Sequence, residues 1–179
     1  MTADVKSLIS HLRTALGEHC LPGTKVCVAL SGGMDSVVLL HALVQLRAQL
    51  PFRLTALHVN HGISPNAADW AGFCLKTCRS LDVPCDVATL PPVHATGGGL
   101  ERAAREARYE VFARVDADVL CMAHHMNDRA ETLLLNLFRG AGPQGLAAMP
   151  GTRFLNGKQL VRPFIDLPRS DLQAWANAQ

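Results

Sequence analysis

KVCVALSGGMDSVVLLHALVQLRAQ, residues 25–49, decides the fold. Its first six residues are a short, nearly unbroken apolar run, as a strand covered on both faces requires. From residue 36 to 49 the apolar positions return at helical spacing. Between them, Ser31-Gly32-Gly33-Met34-Asp35-Ser36 must turn the chain. Gly32 and Gly33 let the backbone approach a branched ligand closely and tolerate positive φ. The first-turn N–H groups of the helix that follows have no partner within it, and its dipole favours an anion there. Ser31 and Ser36 add hydroxyl donors. Asp35 would repel a phosphate unless a divalent cation stood between them, which assigns it to Mg²⁺. Local composition alone also allows an ordinary strand-to-helix turn with Ser or Asp as N-cap. The stretch is neither the Walker A pattern nor GxGxxG.

Outward from this stretch, Leu8, Leu12, Ala15 and Leu16 predict a helix over residues 5–19, broken by Leu21-Pro22-Gly23. Apolar runs at 54–59 and 119–123, with a weaker one at 83–87, predict further strands. Helices are expected at 66–81, 100–115 and 128–138. The helix over 100–115 carries an apolar side made by Leu100, Ala104, Ala107, Val111 and Val115, and that over 128–138 is expected to bury Leu133, Leu134, Leu137 and Phe138. Strands separated by helices of this length imply an α/β fold, a mostly parallel sheet with helices on both faces. Past residue 139, glycines and prolines break the rhythm. Asn156-Gly157 between 152–156 and 159–163 predicts a hairpin, and 166–178 one more helix. The expected division is a domain over residues 1–150, then a hairpin and helix over 151–179 leading out of it. The end at Gln179 has no capping signature, which is open to two readings, a break before further domains or a natural terminus.

The 179 residues are 49% hydrophobic and 18% charged. That suits one domain with a core of its own and excludes a disordered tail, a collagen-like fibre or a coiled coil. Seventeen Lys+Arg against 15 Asp+Glu exclude a strongly basic nucleic-acid binder. Six cysteines are too sparse for a disulfide scaffold. Cys27 and Cys121 sit in apolar runs, and Cys74 and Cys78 lie four apart rather than in CxxC, so a reducing cytoplasm is expected. The first 20 residues lack the apolar stretch of a signal peptide, and no run is long enough to span a membrane.

Further polar clusters stand where strands end. His58-Val59-Asn60-His61-Gly62 closes the second strand, at the edge where open parallel sheets bind ligands. His58 is equally readable as a packed strand-end histidine. Three glycines at 97–99 precede a helix on which Glu101, Arg105 and Arg108 share one face. Glu101 and Arg105 also suit a surface ion pair. His124-His125-Met126-Asn127-Asp128 follows the fourth strand, with Asp128 a candidate N-cap or first-turn acid. Arg139-Gly140-Ala141-Gly142 ends the next helix.

Taken in order, these segments resemble the N-type ATP pyrophosphatases of the PP-loop family, with an adenine nucleotide alpha-hydrolase-like (Rossmann-like) fold. SGGMDS resembles their pyrophosphate loop. HVNHG with Ala67, Trp70 and Cys74, E-x-x-x-R-x-x-R-Y at 101–109, and R-G-x-G-x-x-G-L at 139–146 with Arg162-Pro163 are similar to the signatures of the tRNA(Ile)-lysidine synthetases and their N-terminal catalytic domain. That family's H-H-x-D-D-Q-x-E-T is matched at His124, His125, Asp128, Glu131 and Thr132, but Asn127 and Arg129 replace Asp and Gln.

The resemblance implies that Ala29, Leu30, Ser31, Gly32, Gly33, Asp35, Ser36, His58, Arg139 and Gly142 line the ATP site. It implies catalytic work by Asp35, Arg105, His124 and Asp128, with Mg²⁺ at Asp35 and Asp128, and substrate contacts by His61, Glu101, Arg108 and Arg162. The implied substrates are ATP, L-lysine and a tRNA(Ile) with a CAU anticodon. The cytidine C2 oxygen attacks the α-phosphate, pyrophosphate leaves, and the lysine amine then expels AMP. His124 or Asp128 takes the amine proton. Residues 1–138 carry 12 basic and 13 acidic residues, residues 139–179 five and two. The RNA-facing side is therefore expected near Arg139, Arg153, Lys158, Arg162 and Arg169, with tRNA binding needing further domains. The competing readings are tRNA cytidine thiolation, amidation of a small molecule and a non-catalytic adenine-nucleotide-binding module.

Overall fold

The computed structural model describes residues 5–60, 62, 66–91, 99–142 and 149–179, with the side chains at 5, 6, 100 and 101 outside that description. The apolar runs form strands β1 (Lys25–Ala29), β2 (Arg53–Asn60), β3 (Cys85–Thr89) and β4 (Val119–Cys121). A hairpin supplies β5 (Thr152–Leu155) and β6 (Lys158–Val161). Helices α1 (Val5–Gly17), α2 (Met34–Leu46), α3 (Ala67–Ser80), α4 (Gly99–Arg114), α5 (Met126–Phe138) and α6 (Arg169–Asn177) complete the described elements. The third strand starts two residues later than periodicity predicts and the last helix three residues later, because Pro84 and Pro168 stand before them.

The sheet order is β3-β2-β1-β4-β6-β5. The pairs β1–β2, β1–β4, β2–β3 and β4–β6 are parallel, and β5–β6 is antiparallel. Alternation sorts the side chains. Val26, Val28, Leu54, Ala56, Val119, Cys121 and Val161 join a core with α1, α2, α3 and α6, where Trp175 and Phe164 are buried. Cys27, Leu57, Val59, Leu120 and Leu160 face the other way, against Phe112 of α4. Helices thus cover both faces. The chain runs outward through β2 and β3 and resumes on the opposite side of β1 at β4. The loops leaving β1 and β4 therefore diverge, opening a crevice at the C-terminal edge.

Asn156 and Gly157 both have positive φ, 48° and 80°, as a two-residue hairpin turn of the primed kind needs. Two sequence expectations are corrected. Helix α5 begins at Met126 and buries none of its residues. Leu133, Leu134 and Leu137 are exposed, and Phe138 is 83% exposed. Periodicity identifies an apolar stripe, but what covers it is decided by tertiary structure. Lys158, expected on a basic outer side, is 7% exposed. Its ammonium donates to Ala113 O at 2.8 Å, a carbonyl the end of α4 leaves orphaned, and to Val115 O at 2.7 Å, which also accepts from Ala117 N.

Replacing Lys158 with Met keeps most of the apolar stem and strands the Ala113 carbonyl. Lys158→Met should cost about 1–3 kcal/mol of unfolding free energy in urea denaturation. An unchanged midpoint would contradict the capping role.

Candidate functional site

The crevice holds a cavity of about 620 Å³, within the usual range for a nucleotide-sized ligand. The bend after β1 forms one wall. Gly32 takes φ 90°, and a Cβ there would lie 3.3 Å from Cys74 Sγ. Gly33 is the N-cap of α2 and makes no side-chain cap. The serines close the bend on itself. Ser31 Oγ accepts from Gly33 N at 3.2 Å and lies 3.0 Å from Ser36 Oγ, which donates to Gly33 O at 2.8 Å. The Met34 and Asp35 amides, in the first turn, find no acceptor within the helix.

Behind this bend lies His58. Its Nδ1–H donates to Leu30 O at 2.8 Å, and Cys74 Sγ lies 3.4 Å from the same nitrogen. The ring is buried yet borders the cavity. It both lines the site and ties β2 to the residue preceding the bend. Leu57, Phe112 and Met122 supply apolar floor, Asn60 and Trp70 border the rim, and Arg105 and Arg108 of α4 face in from the opposite side.

His124 closes the far end. Its Nδ1 accepts from Arg162 Nε at 3.3 Å, which leaves Nε2–H as the ring's donor. Burial first, then the Arg162 charge, pushes its pKa from 6.5 down to about 4, with Asp128 opposing. The imidazole is therefore neutral at pH 7. Arg162 is 3% exposed and also donates to Pro150 O at 2.7 Å. It lies behind the wall, not on the outer basic face that charge counting predicts.

The neighbouring His125 is the N-cap of α5, and Asp128 is its first-turn acid, the second of the two roles the sequence allows it. His125 Nδ1 accepts from Asp128 N at 3.3 Å, while Asp128 Oδ2 accepts from His125 N at 2.9 Å, a reciprocal capping box. The other ring nitrogen, Nε2, lies 3.7 Å from Asp35 Oδ2. Arg169 Nε donates to Asp35 Oδ1 at 3.3 Å. Asp35 thus stands at the cavity edge between an imidazole and a guanidinium, with 25% of its side chain exposed.

Of the sequence-predicted residues, Ala29, Leu30, Ser31, Gly33, Asp35, Ser36, His58, Arg105, Arg108 and His124 come together on one cavity. Gly32 shapes the bend, and Asp128 and Arg162 hold wall residues in place. Arg139 and Gly142 do not join them. Arg139 is the exposed C-cap of α5, and a thirteen-residue helix puts it roughly 20 Å from the capping box. His61 and the side chain of Glu101 lie outside the described residues, as do 97–98 and 143–148. Sequence reasoning names Tyr109 and His125 only as motif positions, with no role, and places Arg169 on the RNA-facing side rather than on Asp35. The Arg105–Tyr109 spacing of four, one helical turn, is the signal that could have found the first.

A PP-loop domain family model matches residues 3–179. The tRNA(Ile)-lysidine synthase of Chromobacterium violaceum is 48% identical over 157 residues, covering 85% of this chain and 35% of that protein. That of Nitrosomonas europaea is 44% identical over 158 residues, covering 87% and 34%. The chain therefore spans about a third of the length of these relatives. Among solved structures, the U34-tRNA thiolase NcsA from Methanococcus maripaludis with its [4Fe-4S] cluster superposes with a TM-score of 0.81 at 22% identity, covering 97% of this chain and 62% of that one. This is a likeness of fold.

His124 generates a pH test. The unfolded chain takes up its proton near 6.5 and the folded one near 4, so stability falls as pH drops through that window. His124→Gln keeps an acceptor for Arg162 and removes the titration. Urea denaturation across this range should show a shallower acid loss in the variant, by up to about 1.4 kcal/mol per pH unit. Parallel profiles would contradict a neutral, buried ring.

Proposed function

The chain belongs to the PP-loop domain family, and from that premise we propose that it is the ATP-handling part of a tRNA(Ile)-lysidine synthetase. The reading rests on one observation: the bend at 31–36, Arg105, Arg108 and His124 all face a single nucleotide-sized cavity at the sheet's switch point. The high identity to relatives of that name supports the substrate assignment. ATP is the nucleotide, and L-lysine and the wobble cytidine of a tRNA(Ile) with CAU are the other substrates. The six free cysteines suit a cytoplasmic setting, and among the described residues no helix is long and apolar enough to cross a membrane.

The first-turn amides of α2 grip the β- and γ-phosphates, and the Ser31 and Ser36 hydroxyls, whose protons go to each other and to Gly33 O, hold the bend in shape. The cytidine C2 oxygen attacks the α-phosphorus, the bond to the bridging oxygen breaks, and pyrophosphate leaves with that electron pair. Charge building on the α-phosphate needs fixed donors. Arg105 supplies a planar fork and His124 its Nε2–H. The lysine ε-amine then adds to C2 of the adenylated base and AMP departs with the oxygen. His124 has no free lone pair for the amine proton, because Nδ1 accepts from Arg162 and Nε2 carries a hydrogen, so of the two candidates we assign that proton to Asp128.

Mg²⁺ is commonly held by one or two carboxylates together with substrate phosphates. Asp35 fits this mode, since its partly exposed carboxylate sits at the cavity edge beside the bend. Asp128 fits it less well, because one oxygen already caps the His125 amide. When bound, the ion offsets phosphate charge.

The test is ATP- and lysine-dependent pyrophosphate release in the presence of tRNA(Ile) with CAU, with labelled lysine traced into the RNA. Asp35→Asn should lower release at least about a hundredfold while thermal unfolding stays within a few degrees. Full activity in the variant, or turnover of small amide acceptors without RNA, would overturn the assignment.

A further inference from the structure

A second groove adjoins the nucleotide cavity across Arg105, which borders both. It holds about 480 Å³ between α4 and the edge strand β5, lined by Arg102, Arg105, Glu106, Tyr109, Arg153 and Leu155. Helical spacing puts Arg102, Arg105, Glu106 and Tyr109 on one side of α4. Strand alternation turns Arg153 and Leu155 toward them.

Tyr109 is the centre of this groove. Its ring lies between two guanidinium groups, with Arg105 at 5.3 Å and Arg153 at 4.8 Å from the centroid. Phe112 braces it edge-on at 5.8 Å. Arg105 and Arg153 thus share one aromatic ring. Glu106, the carboxylate lining the groove, is taken by Arg102 at 2.8 Å. Arg153 Nε is buried with no hydrogen-bond partner among the described residues. Guanidinium groups stacked on an aromatic face keep their edges free for a planar or tetrahedral anion. A cluster of like charges with unmet donors is complete only when an anion enters it.

We propose that this groove is a phosphodiester subsite, which holds RNA phosphate next to the nucleoside whose base enters the nucleotide cavity. The proposal rests on the RNA-modifying reading above and adds the place where the strand is held. Arg105 couples the two sites, one edge toward the nucleotide and one face on Tyr109. A phosphodiester gripped by Arg153 then sets how far the neighbouring base reaches toward the α-phosphate. Free pyrophosphate carries related chemistry and is the rival occupant.

The experiment titrates the chain with a stem–loop RNA carrying a CAU anticodon, with the same RNA in scrambled sequence, with ATP, and with inorganic pyrophosphate as competitor. Arg153→Ala should weaken both RNAs alike, by about tenfold, and flatten the dependence of log affinity on log salt by about 0.7 per lost contact. Its ATP affinity and melting temperature should match the parent chain. Arg153→Lys should recover the salt slope and only part of the affinity, because a lysine keeps the charge without the stacked fork. Equal RNA affinity and slope in parent and Arg153→Ala, or no RNA binding by the parent, overturns the subsite. So does a matching loss of ATP binding or stability. Pyrophosphate that displaces RNA from the parent and loses affinity in Arg153→Ala would give the groove to pyrophosphate instead. A parent that binds RNA through Arg153 but not ATP would leave the groove standing and sink the ligase reading.

Discussion

Ser31 and Ser36 hydrogen-bond each other and the Gly33 backbone across the bend that joins β1 to α2. A loop that satisfies its own side chains in this way can leave its main-chain amides facing outward without losing its shape. Anion binding at a helix start depends on that rigidity, since donors that must reorganise lose much of their advantage. Its surroundings serve the same end. His58 fixes the carbonyl of Leu30, one residue before the bend, and Cys74 leaves no slack behind Gly32. The topology then sets the β4 loop, with His124 and His125, across the crevice from it.

Asp35 shows how the remaining parts are tied to this bend. It faces His125 at 3.7 Å and Arg169 at 3.3 Å. His125 also starts α5, and Arg169 starts α6. The same few residues dock the two helices together: Arg169 N donates to Asn127 Oδ1 at 3.0 Å, Arg129 pairs with Asp166 at 2.8 Å, and Met126 N donates to Leu167 O at 2.9 Å. Asn127 and Arg129 are the two departures from the resembling family's motif. In this chain both have partners in the segment that leads into α6. Their chemistry is that of a clasp between helix starts, which keeps Arg169 within reach of the acid beside the bend.

Much of this was legible in the residues. Apolar runs and helical spacing give the parallel sheet. Asn156-Gly157 gives the hairpin, and two glycines flanked by serines give the bend between β1 and α2. These are local signals, where a dihedral or a period is written into a few neighbouring positions. What escaped depends on partners distant in sequence. Leu133, Leu134 and Leu137 look like core on any helical wheel, yet nothing in their own segment says whether another surface covers them. Lys158 and Arg162 count as surface charge until the fold buries one under the end of α4 and the other behind His124. Asp128 reads as either an N-cap or a first-turn acid, and it is the second. The cap falls to His125 because the helix begins two residues earlier. Tyr109 is only the last position of a motif until β5 brings Arg153 to its ring.

The account stands or falls on the amides of the bend. The direct measurement is an NMR titration of the ¹⁵N-labelled chain, first with inorganic pyrophosphate and then with ATP. Pyrophosphate should shift the amides of Gly32, Gly33, Met34, Asp35 and Ser36 while leaving the β2 end at Leu57 and Val59 in place, and ATP should move both sets together. Saturating ATP that perturbs another surface, or none, while those five resonances stay where they were, would contradict it.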